Sequence, residues 1–187
     1  MLSLFRKAPH KIQAESLYSA VVDESRLAVF YREGGAPDTP EGRFEMLALH
    51  MFLTLGRLRA EDGGAKDLAD AVQKEFFDNL ENSLREMGVG DLVVGKKLRK
   101  MAEAFYGRAK AYQNGVDADD DAVLADAISR NIFSVPMAPT ASDFSQYVKQ
   151  AGPALAKINL EELATRGPDA LAALAADTIT GVSENHD

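Results

Sequence analysis

The stretch that decides the fold runs from Phe76 to Arg108 and reads FFDNLENSLREMGVGDLVVGKKLRKMAEAFYGR. Two segments with apolar residues at helical spacing flank the short run Gly88-Val89-Gly90. Glycine directly after a periodic segment favours a left-handed helix cap, because it has no Cβ to clash there. Asp91 is placed to cap the next helix by accepting a backbone N–H. We therefore predict two antiparallel helices that pack on each other as a hairpin.

Each limb of this hairpin has one apolar face and one polar face. On the first limb the residues predicted to be buried are Val72, Phe76, Leu80, Ser83 and Met87. On the second limb they are Val94, Leu98, Met101, Phe105 and Tyr112. Phe77 and Leu84 lie at the edge of the first apolar stripe, where exposure would offer a partner an apolar contact.

The segment before the hairpin predicts the most buried helix of the chain. Thr39-Pro40-Glu41 combines a hydroxyl cap, a proline at the first helical position and an acid in the first turn. Apolar residues then cover most of the helix from Phe44 to Leu58, which is typical of a helix inside a bundle. The narrow polar strip that remains consists of Arg43, His50, Thr54, Arg57 and Glu61.

Helical patterns continue after the hairpin. Asp119 or Asp120 is placed to cap a helix over 122–133. Gly152-Pro153 is expected to break or kink the next helix, and Gly167-Pro168 to separate a weak Ala-rich helix from the core. The residues predicted to be buried in the 122–133 helix are Leu124, Ile128 and Ile132. No sustained alternation of apolar and polar residues predicts a strand.

These patterns predict an all-α fold, a single-domain bundle of about six or seven helices with the antiparallel hairpin at its centre. The length of 187 residues fits one domain. We expect a flexible basic N-terminus over residues 1–10, a helical domain over 11–165 and a weakly structured tail over 166–187.

The composition narrows the classes of function. The absence of cysteine excludes disulfides, thiolate metal sites, iron–sulfur clusters and a cysteine nucleophile. A formal net charge of −8 argues against general affinity for nucleic acid. No segment has the pattern of a signal peptide or the about 20 apolar residues of a membrane span. We therefore expect a cytoplasmic protein whose contact with the inner membrane, if any, is peripheral.

Three motifs invite a chemical function, but each has a simpler structural interpretation. His50 lacks a second histidine or carboxylate at the spacing of a metal site, which favours a structural role. Gly88-Val89-Gly90 lacks the third glycine and the preceding strand of a phosphate-binding loop. The acidic run Asp117–Asp121 lacks the glycine and the distal glutamate of an EF-hand. We therefore predict no catalytic residue, no metal and no cofactor.

Four motifs in order resemble the ubiquinol–cytochrome c chaperone family. They are Pro37-Asp38-Thr39-Pro40-Glu41-Gly42-Arg43-Phe44, Leu49-His50-Met51-Phe52-Leu53, Leu84-Arg85-Glu86-Met87-Gly88-Val89-Gly90-Asp91-Leu92 and Lys100-Met101-Ala102-Glu103-Ala104-Phe105-Tyr106-Gly107-Arg108. The resemblance spans roughly Ser19 to Asn131. It implies a non-catalytic chaperone that binds newly made cytochrome b and assists assembly of ubiquinol–cytochrome c reductase. A second assembly factor and the ribosome are further candidate partners.

Polar residues of the hairpin are the candidate partner contacts. They are Asp78, Asn82, Arg85, Asp91, Lys97, Lys100, Tyr106 and Arg108. The basic run between Lys96 and Lys100 stands out in an acidic chain. It suits either a solvated helix face or a contact patch for an acidic or lipid-facing partner.

Two other functions stay open on the sequence. An apolar cavity beside the Phe44–Leu58 helix would suit a small molecule such as a quinone, a lipid or haem. Residues Met1–Lys11 mix apolar and basic side chains, which suits a weak peripheral contact with an anionic membrane.

Overall fold

The computed structural model describes residues 9–61 and 65–179, and within these ranges the regular structure is entirely helical. The seven α-helices are α1 Pro9–Ser25, α2 Pro40–Arg59, α3 Ala65–Glu86, α4 Asp91–Asp117, α5 Asp121–Ile128, α6 Ala141–Ala156 and α7 Leu163–Thr178. A 3₁₀ turn at Ala28–Tyr31 follows α1, and a π-helical turn at Ser129–Phe133 extends α5. The predicted all-α fold is confirmed. No helix in the described ranges has both the length and the apolar character of a membrane span.

Helix α2 packs against α1, α3, α4 and α6. It begins as predicted, because Thr39 Oγ1 accepts a hydrogen bond from the Gly42 N–H at 3.1 Å and Pro40 is the first helical residue. Its fully buried side chains are Met46, Leu49, His50, Met51 and Leu58. The predicted polar strip is interrupted in the middle, where His50 and Thr54 are buried as well.

Helices α3 and α4 form the antiparallel hairpin. Phe76 of α3 and Phe105 of α4 are both buried, with ring centroids 5.1 Å apart. The other predicted residues found buried in the two stripes are Val72, Leu80, Val94 and Tyr112. The predictions that Ser83 and Met87 are buried are wrong, because both are exposed, and Leu98 and Met101 are only half-buried. Because α3 ends at Glu86, Met87 lies past the last turn and is 70% exposed, and Leu84 occupies the buried position instead.

Helix α5 begins at one of the two predicted caps. Asp120 Oδ1 accepts a hydrogen bond from the Ala122 N–H at 2.9 Å. Leu124, Ile128 and Ile132 are buried as predicted. The buried row continues into the π-helical turn, so the change of helix type does not interrupt the packing.

Neither glycine–proline pair ends its helix. Helix α6 continues through Pro153, and α7 continues through Pro168. Helix α7 packs against α1 and α6 and buries a row at four-residue spacing, which consists of Leu163, Gly167, Leu171 and Ala175. Burial of this row offsets the roughly 3 kcal/mol that a proline costs inside a helix. The bundle therefore continues past the predicted boundary at 165. Residues 1–8 and 180–187, where we predict flexible ends, lie outside the described residues.

Candidate partner-binding surface

The turn between α3 and α4 is held by its backbone. Gly88 has φ = +78°, the left-handed conformation predicted for it. The Val89 N–H donates to the Leu84 carbonyl at 3.0 Å, and the Gly88 N–H donates to the Arg85 carbonyl at 2.9 Å. This pair of hydrogen bonds is the Schellman pattern of a helix C-terminus. It fixes the direction in which α4 leaves α3.

Arg85 connects the two helices at this turn. Its guanidinium donates to Glu81 Oε1 at 2.7 Å and forms a second ion pair with Asp91. The prediction that Asp91 caps α4 is wrong, because Gly90 occupies the cap position and Asp91 is the first helical residue. The side chain of Asp91 is 85% exposed, that of Arg85 46% and that of Glu81 37%, so solvent screens these pairs and they orient the turn more than they stabilise the fold.

Apolar side chains are exposed on both sides of the turn. Met87 is 70% exposed and Leu92 is fully exposed, while Val93 is 46% exposed. The next residue, Val94, is buried against the bundle. We call residues 87–100 the tip of the hairpin.

The tip also carries the basic run that the sequence singles out. Lys96, Lys97, Arg99 and Lys100 are all exposed. Within the described residues, none of the four forms an ion pair with an acidic side chain. The neighbouring acids are Glu86 and Glu103, together with Asp91, which is already paired with Arg85.

Tyr106 lies on one flank of α4 at the base of the hairpin. Its side chain is 48% exposed, and its hydroxyl accepts a hydrogen bond from Gln73 Nε2 at 2.9 Å. Gln73 Oε1 in turn accepts from Arg59 Nη2 at 2.9 Å. This chain of hydrogen bonds joins α2, α3 and α4 at the end of the hairpin opposite the tip.

Arg108 points into the bundle. Its guanidinium binds the carboxylate of Glu45 with two hydrogen bonds, of which Nη2 to Oε1 measures 2.5 Å, and it lies 5.8 Å from the centre of the Phe44 ring. Burial raises the pKa of the Glu45 carboxyl, and the hydrogen bonds from Arg108 work in the opposite direction. A separation of two residues along the chain corresponds to a rotation of about 200° around a helix. Arg108 and Tyr106 therefore face opposite sides of α4.

The candidate residues thus separate into groups rather than one patch. Arg85 and Asp91 meet at the turn, and Lys97 and Lys100 lie on the tip. Asp78 forms an ion pair with Lys74. The exposed Asn82 lies one turn from Asp78 on the same face of α3.

A groove of about 320 Å³ lies between α1, α2, α3 and α4, beside the Phe44–Leu58 segment where the sequence leaves open an apolar cavity. Phe44 and Leu47 of α2 and Met101 of α4 line it as half-buried apolar side chains. Arg26 and Arg43 stand at its edge and are exposed. Met101 falls in the stripe of α4 that is predicted to be buried, but the structure leaves it partly uncovered.

His50 is engaged inside the bundle rather than directed at a cavity. Its Nδ1 lies 2.8 Å from the Met46 carbonyl oxygen, and its Nε2 lies 2.9 Å from the Tyr147 hydroxyl. Because a carbonyl only accepts, Nδ1 carries the proton and Nε2 accepts from Tyr147. Burial lowers the pKa of His50 to about 4, so the ring is neutral at pH 7. The structural interpretation of His50 is supported, and neither nitrogen is available to a metal.

The structure defines an all-α helical bundle in which helix α2 packs against α1, α3, α4 and α6. The model of the family described as "Ubiquinol-cytochrome C chaperone" matches residues 32–172. The chain therefore belongs to the ubiquinol–cytochrome C chaperone family. The match begins later than the predicted Ser19, and it extends beyond Asn131 through α6 into α7.

Individual relatives agree with this assignment. The chain is 26% identical to "Ubiquinol-cytochrome-c reductase complex assembly factor 1" of Xenopus laevis over 70% of its own length and 64% of the relative. It is 27% identical to the protein of the same name from Mus musculus over 66% of this chain and 42% of that one. The chain thus spans less than two thirds of these relatives.

A solved structure gives the fuller match. The "Cbp3 homolog from Brucella abortus" is 39% identical, with a TM-score of 0.74 over 88% of this chain and 91% of that chain.

Proposed function

We propose that this chain is a non-catalytic assembly chaperone for ubiquinol–cytochrome c reductase whose client is newly made cytochrome b. Membership of the chaperone family and the names of the relatives support the assembly role. The observation that carries the mechanism is the open apolar groove between the hairpin and helices α1 and α2.

The groove suits an apolar segment of a protein client. Half-buried Phe44, Leu47 and Met101 offer apolar contact area, and the exposed Arg26 and Arg43 provide a polar rim. An apolar centre within a polar rim is the usual anatomy of a protein interface, and grooves between helices accept helical segments. The chaperone would shield such a segment one-to-one until other subunits of the reductase cover it.

The polar hairpin residues would contact parts of the client outside this groove. Asp78, Asn82 and Arg85 lie on the other side of α3 from Leu80 and Ser83, which line the groove. Lys97 and Lys100 add exposed cations on α4. Charged groups around an apolar centre contribute specificity and association rate more than affinity. Arg108 would act indirectly, because its guanidinium lies against the Phe44 ring at the wall of the groove. Tyr106, on the opposite flank, would contact a different part of the client.

The test is affinity capture from respiring membranes solubilised in mild detergent, with mass spectrometry of the captured proteins. We expect cytochrome b to be enriched over mature reductase subunits. The variant Ser83→Trp should abolish this enrichment, because Ser83 is exposed and lines the groove, so a large ring there occupies it without disturbing the core. Arg85→Glu combined with Lys97→Glu should also abolish capture.

A matched control reverses two charges elsewhere. Lys66→Glu with Lys157→Glu changes the net charge equally at two exposed sites that line neither groove nor tip, and it should capture cytochrome b normally. Circular dichroism confirms that each variant is folded. Normal capture by a folded Ser83→Trp protein would refute the groove as the client site. A co-purified pigment or lipid without cytochrome b would favour the small-molecule function instead.

A further inference from the structure

We propose that the tip of the hairpin, residues 87–100, is a docking site for the surface of an anionic lipid bilayer. Leu92 and Val93 would enter the interface between headgroups and acyl chains, while Lys96 and Lys100 would contact lipid phosphates. The proposal goes beyond the client, because it names a second ligand and holds whether or not cytochrome b is captured.

The first observation is the exposure of apolar side chains at the turn between α3 and α4. Leu92 is fully exposed and Met87 is 70% exposed, although most large apolar residues of the described chain are buried. A protein partner would need a pocket shaped to receive these protruding side chains. A bilayer interface accepts them without a complementary shape.

The second observation is the arrangement of charge. Four basic residues and one acidic residue lie between Asp91 and Lys100, in a chain whose formal net charge is −8. The one acid, Asp91, is paired with Arg85. The cations of the tip are thus available to anionic headgroups, while the rest of the acidic protein is repelled by them.

The third observation is that the apolar and basic groups share one side of α4. Leu92, Lys96 and Lys100 follow one another at four-residue spacing, and Val93 and Lys97 form a parallel row. The buried Val94 lies two residues from Leu92 and Lys96, about 200° around the helix from each. Long lysine stems can lie along the interface with their ammonium groups at phosphate level.

The turn is held in the shape that this docking needs. The two hydrogen bonds of the Schellman pattern and the ion pairs of Arg85 fix the turn from which α4 presents Leu92 and Val93. Little chain entropy is therefore lost when these two side chains enter the interface.

The test is flotation of the full chain with lipid vesicles, without detergent or client. We expect binding to vesicles of phosphatidylcholine mixed with phosphatidylglycerol and none to phosphatidylcholine alone. Binding should weaken as salt is raised, because the headgroup attraction is screened. Each lysine near an anionic surface contributes about a fivefold factor in affinity, so Lys96→Glu with Lys100→Glu should weaken binding by at least about thirtyfold.

Two further variants separate the apolar from the electrostatic part. Leu92→Asp should also abolish flotation, and it should leave the fold intact because Leu92 has no buried surface to lose. Lys66→Glu with Lys157→Glu carries the same charge change away from the tip and should float like the unaltered protein apart from a small long-range effect.

Several results would overturn the proposal. These are absence of binding to the anionic vesicles, equal flotation of folded tip variants and control, and flotation that is retained in the tip variants but lost when residues 1–8 are removed. Loss of cytochrome b capture in detergent by Leu92→Asp, with normal flotation, would assign the tip to the protein client instead. Failure of capture by the unaltered protein with tip-dependent flotation would refute only the function proposed above.

Discussion

The two sides of α2 handle polar groups in different ways. Toward α6, His50 and Tyr147 are fully buried, and they satisfy each other as neutral hydrogen-bond partners. Toward α4, Glu45 and Arg108 form a charged pair that remains partly exposed. Beyond that pair the hairpin leads to a tip with exposed apolar and basic side chains. We call the side toward α6 the scaffold side, and we expect substitutions there to destabilise the fold more than substitutions on the hairpin side.

The largest effect is expected on the scaffold side. His50→Ala removes the hydrogen bonds to Met46 and Tyr147, leaves the Tyr147 hydroxyl unpaired and opens a cavity. We expect the free energy of unfolding to fall by about 3–5 kcal/mol in urea titration at pH 7. A loss below about 1 kcal/mol would contradict the importance of this pair.

The scaffold side also keeps an acid neutral, which should make stability depend on pH. Glu24 of α1 is buried beside Gly167 of α7, and within the described residues its Oε2 has no hydrogen-bond partner. Burial raises its pKa from 4.5 to about 8. The unfolded chain therefore releases this proton first, so stability is lost as pH rises from about 4.5 to about 8.

Glu24→Gln should remove this dependence. At pH 8 we expect the free energy of unfolding of the variant to be higher than that of the unaltered protein by about 2–4 kcal/mol. This difference should vanish near pH 4.5. His50 acts in the opposite sense, since its lowered pKa removes stability as pH falls from 6.5 to about 4. The measurement is denaturation of both proteins at pH 5 and at pH 8. If the variant were no more stable than the unaltered protein at pH 8, Glu24 would be charged in the folded state.

On the hairpin side, removing one member of the charged pair should cost less. Arg108→Met leaves the Glu45 carboxylate without its partner, and we expect a loss of about 2–3 kcal/mol at pH 7 because the site is partly exposed. The double variant with Glu45→Leu should recover most of this loss, since an apolar pair often replaces a buried ion pair without penalty. Denaturation of the two variants and the unaltered protein checks this, and an equal loss in both would mean that packing rather than charge matters.

Sequence patterns alone predicted those features that depend only on residues adjacent in the chain. The turn at Gly88 and the caps at Thr39 and Asp120 could be predicted, because each depends on a few adjacent residues. The continuation of α7 through Pro168 could not be predicted, because contacts with α1 and α6 outweigh a local preference.

The site was less predictable than the fold. Arg108 and Glu45 are 63 residues apart, and four helices form the walls of the groove. Such features depend on how the helices are placed relative to one another. The sequence periodicity of a single helix does not predict that placement. The exposure of Leu92 and Met87 likewise depends on which neighbouring helices cover the turn.

The smallest changes in the free energy of unfolding are expected at the tip. They give the clearest contrast with the scaffold side. Gly88→Ala forces a side chain into the left-handed conformation, which should cost about 1 kcal/mol although nothing lies near the new Cβ. Leu92→Asn should change the free energy of unfolding by less than about 0.5 kcal/mol, because the side chain it replaces is fully exposed. Urea titration of both variants beside His50→Ala measures the contrast directly. If Leu92→Asn destabilised the protein as strongly as His50→Ala, the tip would be part of the scaffold, and its exposed apolar residues would no longer be free for binding.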